Sequence, residues 1–364
     1  MKFNPYLDDI KVYEAGKPIE LVVREFGVKP EEVVKLASNE NPLGTNPAVA
    51  KVICSHADKA HLYPDDSMYA LKASLSSKYG VGDSHIIIGA GSDQILEFLS
   101  RAKLHEGSSV LMSQVTFAMY EIYARQVGAT VLRTPSYAHR VDEFLAMMQT
   151  HTPDIVYLCT PNNPTGDATS KEDILTIINA ADKETLVVID GAYMEYAAAK
   201  DTQYLITPKD ILGYENVIYL GTFSKAYGLG GMRVGYGIAN IEIIQALYKM
   251  RPPFNISTLS LAAAIEASKD EAFLKRSVAL HQEQILRYEA FARAHHIDYI
   301  DSYTNFITYL FDEKLDSSRI ADALLRKGVI VRNLASYQLN AIRITVGTQE
   351  QNDRFFALFA EEIM

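Results

Sequence analysis

The sequence is poor in cysteine. Its two residues, Cys54 and Cys159, are far apart and form no metal-ligand spacing. That argues against a disulfide framework and a cysteine-built metal centre, and no metal is expected. Cys159 lies in an apolar run, so a buried free thiol is predicted. Positive charge is also scarce: 35 Lys and Arg stand against 45 Asp and Glu, a formal net charge of −10. Without a long basic run, nucleic acid and anionic membrane are poor candidates for partners, although a local basic pocket for a small anion stays open. No apolar segment approaches the ~20 residues of a membrane-spanning helix. The opening MKFNPYLDDIKVYE has no apolar signal core, and a cytoplasmic protein is expected. Repeats and low-complexity tracts are absent. What is there is an ordinary globular composition, 48% apolar and 22% charged, in a chain of 364 residues. That length suits about two domains.

The first forty residues are punctuated by proline and carry one helical patch, KPIELVVREFG (17–27). They read as an arm plus a short helix. From about residue 85 the pattern alternates. HIIIG (85–89), SVLMS (109–113), DIVYLCT (154–160), TLVVID (185–190) and NVIYLGT (216–222) are short β-rich runs. Helical segments such as SDQILEFLSRAKL (92–104) and TSKEDILTIINAAD (169–182) separate them. Such alternation predicts an α/β fold with a mostly parallel sheet covered on both faces. RPPFN (251–255) is a breaker. After it the pattern predicts a long helical stretch over about 258–296, then NFITYLF, the helix DSSRIADALLRKG, the strands VIVR and AIRITVG, and a final helix TQEQNDRFFALFAEEIM. This order fits a smaller α+β domain completed by the N-terminal segment.

In open α/β sheets, ligands sit at the carboxyl ends of the strands. Four candidate groups fall there. GAGSD (89–93) reads as an ordinary strand-to-helix turn capped by Ser92, or as a set of helix-start N–H groups for a phosphate. CTPNNPTG (159–166) is a rigid polar turn in which Asn163 could donate to a ligand oxygen, or a plain surface turn. In VVIDGAY (187–193), Asp190 closes an apolar strand. It needs a cationic or hydrogen-bonding partner unless it serves as a turn or cap, and Tyr193 could reach the same site. TFSKAYGLGGMRVG (222–235) offers the hydroxyls of Thr222 and Ser224, the amine of Lys225 and the guanidinium of Arg233. It lacks the spacing of a Walker-type loop. One cofactor uses all four groups. Pyridoxal 5′-phosphate needs a lysine for its aldehyde, an acid beside its ring nitrogen, donors at its ring hydroxyl and a cradle for its phosphate.

With KLASNENPLG (35–44), LYPDDS (62–67), TFAMY (116–120) and AIRITVG (341–347), these motifs run in order along nearly the whole chain. The sequence resembles the fold-type I pyridoxal-phosphate aminotransferases, class II, and within them the histidinol-phosphate aminotransferase branch. That resemblance implies a large domain with a mostly parallel seven-stranded sheet and a smaller α+β domain. The expected divisions are an arm and part of the small domain in 1–40, the large domain in 41–265 and the small domain in 266–364. It implies that Lys225 bonds the cofactor aldehyde, that Asp190 pairs with the ring nitrogen, and that Asn163 and Tyr193 bind the ring hydroxyl. Phe117 would stack on the ring. Gly91, Ser92, Asp93, Thr222, Ser224 and Arg233 would hold the phosphate. Tyr63 would reach the phosphate of a neighbouring subunit, which implies a homodimer.

On the substrate side, Arg343 lies on a half-buried strand and wants an anion suited to its planar fork, or else a structural acid. The resemblance makes Arg343 and Arg332 ligands of a carboxylate or phosphate, and places Tyr13 and Asn41 in the substrate pocket. It implies reversible transamination between L-histidinol phosphate and 2-oxoglutarate, giving imidazole-acetol phosphate and glutamate. Lys225 would carry the proton from Cα. An aromatic-amino-acid aminotransferase and a threonine-phosphate decarboxylase of the same fold are the alternatives. One departure stands out: the family commonly has an acid next to Asp190, where this chain has Gly191. The tuning of Asp190 is therefore expected to differ.

Overall fold

The computed structural model describes residues 1–8, 10–13 and 16–363. Asp9, Glu14 and Ala15, within the predicted arm, and Met364, the last residue of the predicted final helix, lie outside the described residues. In chain order the strands are β1 (Val34–Lys35), β2 (Ile86–Gly89), β3 (Ser109–Met112), β4 (Thr130–Arg133), β5 (Ile155–Cys159), β6 (Leu186–Asp190), β7 (Val217–Thr222), β8 (Gly235–Ala239), β9 (Asp298–Ile300), β10 (Phe306–Leu310), β11 (Val329–Ile330), β12 (Arg332–Asn333) and β13 (Ala341–Thr345).

Seven strands form the main sheet in the order β2-β8-β7-β6-β5-β3-β4. Only β8 is antiparallel to its neighbours. The apolar runs with no polar alternation account for this sheet: β5, β6 and β7 are buried along their whole lengths. Successive residues face opposite sides. Ile155 and Tyr157 enter one apolar layer, and Val156 and Leu158 the other. Some of the helices between strands start at small polar caps, as at Ser170 and Asn240. Ser170 accepts from the Asp173 N–H at the head of helix Lys171–Ala180.

The predicted stretch 258–296 is two helices, Thr258–Ala267 and Glu271–Ala294. Ser268–Asp270 interrupt it, and the Asp270 carboxylate accepts from the Phe273 N–H to cap the second. Apolar spacing runs through the break, so periodicity alone does not reveal it. Leu261, Ala263 and Ala264 of the first helix pack in the core of the main sheet. Ile285 and Tyr288 of the second pack with β10, β13 and the final helix Gln349–Ile363 in a separate core. That core includes Val34 and Leu36, and β1 pairs in parallel with β11. The N-terminal segment thus completes the smaller unit. Its four-stranded antiparallel sheet runs β12-β13-β10-β9. Among the described residues no helix is long and apolar enough to cross a membrane.

Candidate active site

The register of the main sheet brings the four predicted groups to one edge. Cys159 pairs with Asp190, and Asp190 with Leu220. Gly235 stands opposite both Thr222 and Gly89. The ends of β2, β5, β6 and β7 therefore meet around the start of β8.

GAGSD forms the turn into helix Gly91–Lys103. Its N-cap is Ala90, with no side-chain capping bond. Ser92 is thus inside the helix and is not its cap, which corrects the capped-turn reading and leaves the first N–H groups facing the site. Gly91 has φ +76°, and a Cβ there would lie 2.6 Å from Arg233 Nη2. A Cβ on Gly235 would lie 2.1 Å from the Ser92 nitrogen. Only glycine lets the helix start, β8 and the Arg233 guanidinium close around one space. Arg233 itself has φ +53°. It donates to Ser224 Oγ at 3.3 Å and to the Gly230 carbonyl at 3.0 Å. Thr222 Oγ1 accepts from the Ser224 N–H at 3.1 Å and donates to Ser224 Oγ at 3.0 Å. N–H groups, hydroxyls and one guanidinium on a glycine-lined helix start make an anion cradle. The Asp93 carboxylate accepts from the Tyr123 hydroxyl at 3.0 Å.

Asp190 is buried at 4% exposure. Burial raises its carboxyl above the ordinary range, against the Tyr120 hydroxyl and the Ala192 N–H. These donate at 2.7 Å and 3.2 Å. Tyr120 is locked by a parallel stack on Tyr157, with centroids 4.5 Å apart. Tyr193 is buried, and its hydroxyl accepts from Asn39 Nδ2 at 2.8 Å. Phe117 is half-buried, edge-on to Tyr120 at 5.6 Å.

Lys225 is half-buried. Its amine donates to the Ser38 carbonyl at 3.5 Å and lies 5.6 Å from the centre of the Tyr193 ring. Burial, with Arg343 and Arg233 nearby, lowers its pKa to about 8. An amine held near that value is partly neutral at physiological pH, as a nucleophile or base requires. Asn41 holds this lysine's loop. Its amide donates to the Ala226 carbonyl at 3.0 Å and to Ser277 Oγ at 2.8 Å.

Of the two asparagines in PNNP, Asn162 is fully buried and spent on structure. It donates to the Val115 carbonyl and Thr165 Oγ1, and accepts from Thr116. Asn163 Oδ1 accepts from Arg343 Nη1 at 2.5 Å. Arg343 is 8% exposed, and its Nη2 donates to the Ala37 carbonyl at 2.6 Å. It has no carboxylate within ion-pair distance among the described residues, so the structural-acid reading of Arg343 is not met. Arg332 stands directly opposite Arg343 across the β12–β13 pair. Beside Phe117 opens a cavity of about 520 Å³. Tyr13, Thr116, Ala118, Arg332 and Tyr337 are among its lining.

Tyr63 lies apart from these groups. It is 83% exposed and stacks on Phe254 at 4.7 Å. Its loop is pinned by Asp66, which takes both Arg251 amino groups and the Phe254 N–H, each at 2.7 Å. These donors hold Asp66 down to about 2. Beside Asp190, the space left by Gly191 is filled: a Cβ there would lie 2.5 Å from Tyr219 Oη. Sequence reasoning missed Tyr120, Asn39, Tyr219 and Tyr337. Asn39 had a signal, since it stands two residues before Asn41 in the same motif.

The residues fit pyridoxal phosphate on structural grounds. The cradle would be filled by a Cβ at Gly91, the amine is depressed and, among the described residues, the buried Asp190 carboxylate makes no ion pair. Residues 31–358 match the family model described as aminotransferase class I and II. The histidinol-phosphate aminotransferase of Sulfurovum sp. (strain NBC37-1) is 69% identical over 363 residues, covering 100% of both chains. That of Sulfurimonas denitrificans is 57% identical over 359 residues, covering 98% of this chain and 99% of its own. The crystal structure of histidinol-phosphate aminotransferase from Sinorhizobium meliloti in complex with pyridoxal-5′-phosphate superposes with a TM-score of 0.90 at 27% identity. The match covers 100% of this chain and 97% of that one.

Proposed function

The chain belongs to the aminotransferase class I and II family, and we propose that it catalyses reversible transamination between L-histidinol phosphate and 2-oxoglutarate, with pyridoxal phosphate as cofactor. Imidazole-acetol phosphate and L-glutamate are the products. The observation that carries this reading is the meeting of a depressed amine on Lys225 and a buried carboxylate on Asp190, at one end of the main sheet, with the buried guanidinium of Arg343, which β13 of the smaller sheet brings to Asn163. Relatives of that activity, alike over their full length, support the choice of substrate.

When bound, the cofactor supplies an electron sink for breaking the substrate's Cα–H bond. The chain's own residues do the rest. Gly91, Ser92 and Asp93 would offer backbone N–H groups to the phosphate, with Thr222, Ser224 and Arg233 completing the cradle. Asp190 would hold a proton at the ring nitrogen, since a buried carboxylate favours a cation beside it. Asn163 and Tyr193 would fix the ring hydroxyl, and Phe117 would cover one ring face. Lys225 Nζ would anchor the aldehyde, then take the Cα proton and return it after the electron shift. Arg343 and Arg332 would hold the phosphate of one substrate and the distal carboxylate of the other, because guanidinium forks accept both anions. Tyr13 and Asn41 would close the substrate side, Asn41 by holding the Lys225 loop. The cytoplasm is the proposed location. A homodimer, with exposed Tyr63 offered to the partner's phosphate cradle, and the division 1–40, 41–265 and 266–364 belong to the same reading. Incubating the holoenzyme with L-histidinol phosphate and 2-oxoglutarate tests it: L-glutamate forms, and its absence rejects the assignment.

A further inference from the structure

We propose that Asn39 sets the direction of the Tyr193 phenol proton, turning it towards the cofactor's ring hydroxyl and away from the protein. Asn39 is a positioning residue that acts through Tyr193. The inference rests on the reading above that Tyr193 binds that ring hydroxyl.

Residues 36–39 run beside β13, the strand that carries Arg343. The Leu36 carbonyl accepts from the Thr345 N–H at 2.8 Å, and the Ala37 carbonyl from Arg343 Nη2 at 2.6 Å. At Asn39 the chain turns at φ +55°, in the left-handed region. Asparagine is one of the few residues with a side chain that visits it readily. Asn39, Thr345, Asn305 and Tyr193 are all buried. Their polar atoms therefore have to find partners inside the protein.

The polarity of the Asn39 amide follows from its bonds. The Asn39 backbone N–H donates to Thr345 Oγ1 at 2.9 Å. That hydroxyl passes its own proton to Asn39 Oδ1 at 3.1 Å. The Asn39 carbonyl accepts from Asn305 Nδ2 at 3.0 Å. The amide nitrogen is left, and it donates to Tyr193 Oη at 2.8 Å. An amide NH2 only donates, so Tyr193 is the acceptor on this side. Among the described residues the Tyr193 hydroxyl donates to no other group. Its ring is held edge-on to Phe306, with centroids 5.5 Å apart. Burial raises the phenol above its ordinary value, while Arg343 and the Asn39 bond draw it down. The proton is thus present at neutral pH, and it is the donor this chain offers to the cofactor's ring oxygen.

Substitutions at Asn39 separate direction from packing. Asn39→Gly keeps the left-handed turn and the backbone bonds and removes only the amide. The Tyr193 proton can then point either way. Asn39→Asp keeps the shape but puts an acceptor where the donor was. The phenol then turns its proton to the new carboxylate and away from the cofactor. A packing role ranks the near-isosteric Asp above Gly, and a directing role ranks it below.

The test titrates each apoprotein with pyridoxal phosphate and follows the visible absorbance of each holoenzyme against pH. The cofactor dissociation constant should rise about threefold in Asn39→Gly and about tenfold or more in Asn39→Asp, the scale of one lost hydrogen bond. A donor at the ring oxygen favours its ionised form. The pH midpoint of the absorbance should therefore climb by ~1 in Asn39→Asp and by less in Asn39→Gly. In the Tyr193→Phe background, Asn39→Asp should add less than about twofold to the dissociation constant, whereas a plain charge effect would persist there. An Asn39→Asp protein that holds the cofactor as well as Asn39→Gly, or better, overturns the proposal. So does an equal loss with and without the Tyr193 hydroxyl. If Tyr193→Phe alone leaves affinity and midpoint unchanged, the placing of Tyr193 at the ring hydroxyl fails and takes this inference with it. If Tyr193→Phe weakens binding but the two Asn39 variants rank the other way, Asn39 alone is misassigned.

Discussion

Tyr120 Oη donates to Asp190 Oδ2 at 2.7 Å, in a layer where both side chains are buried. The bond stabilises the charged carboxylate against the desolvation that raises its pKa. Asp190 can pair with a ring cation only while ionised, so Tyr120 bears on the reaction without touching substrate.

Tyr120→Phe should therefore lower kcat. A hydrogen bond to a charged group contributes roughly 1.5–3 kcal/mol, so a loss of about tenfold to a hundredfold is expected. Cofactor affinity should weaken in the same variant, while the melting temperature moves little, because the ring still stacks on Tyr157. Equilibrium dialysis of the cofactor alongside steady-state rates checks both.

Lys225 in the apoprotein should titrate near pH 8. Its charged form is the one that burial penalises, so the neutral amine gains as pH rises through that value. Competitive acylation followed by mass spectrometry should show Lys225 reactivity levelling off above about pH 8, whereas an unperturbed lysine keeps climbing to about 10.4. For stability the sign is the same. The unfolded chain binds more protons between the two values, so unfolding free energy should rise with pH across that window.

Gly91→Ala should weaken the cofactor's phosphate site. The residue sits at φ +76°, and the new methyl would meet Arg233 Nη2 at 2.6 Å. Strain plus a displaced guanidinium should raise the cofactor dissociation constant at least about tenfold, the ~1–3 kcal/mol of a left-handed non-glycine residue. Titration of the apoprotein with pyridoxal phosphate, followed by its visible absorbance, reads this directly.

Gly191→Glu, which places an acid next to Asp190, should destabilise this chain. Its Cβ would lie 2.5 Å from Tyr219 Oη and 2.7 Å from Tyr219 Cζ. Overpacking of this kind costs about 1–3 kcal/mol. Tyr219→Leu in the same chain should recover much of it, and urea unfolding of the single and double variants decides.

Much of this was legible in the sequence because chemistry-bearing residues sit where strands end. DIVYLCT, TLVVID and NVIYLGT predict β5, β6 and β7, and the residues after them form the site. The supports were harder to see. The chain holds 22 tyrosines, and nothing local separates Tyr120, pressed on Asp190, from one on the surface such as Tyr63. Asn162 and Asn163 look alike in PNNP, yet only the fold decides that the first saturates a loop and the second meets Arg343. The two helices within 258–296 read as one because their apolar spacing continues across the break. The later Asp-x-x-Phe cap at 270–273 was the available signal.

The most direct measurement offers the holoenzyme L-histidinol phosphate, phenylalanine and threonine phosphate as competing amino donors to 2-oxoglutarate. The account predicts the highest kcat/KM for L-histidinol phosphate, with glutamate as the product. Histidinol phosphate as the poorest of the three donors, or carbon dioxide released from threonine phosphate, would contradict it.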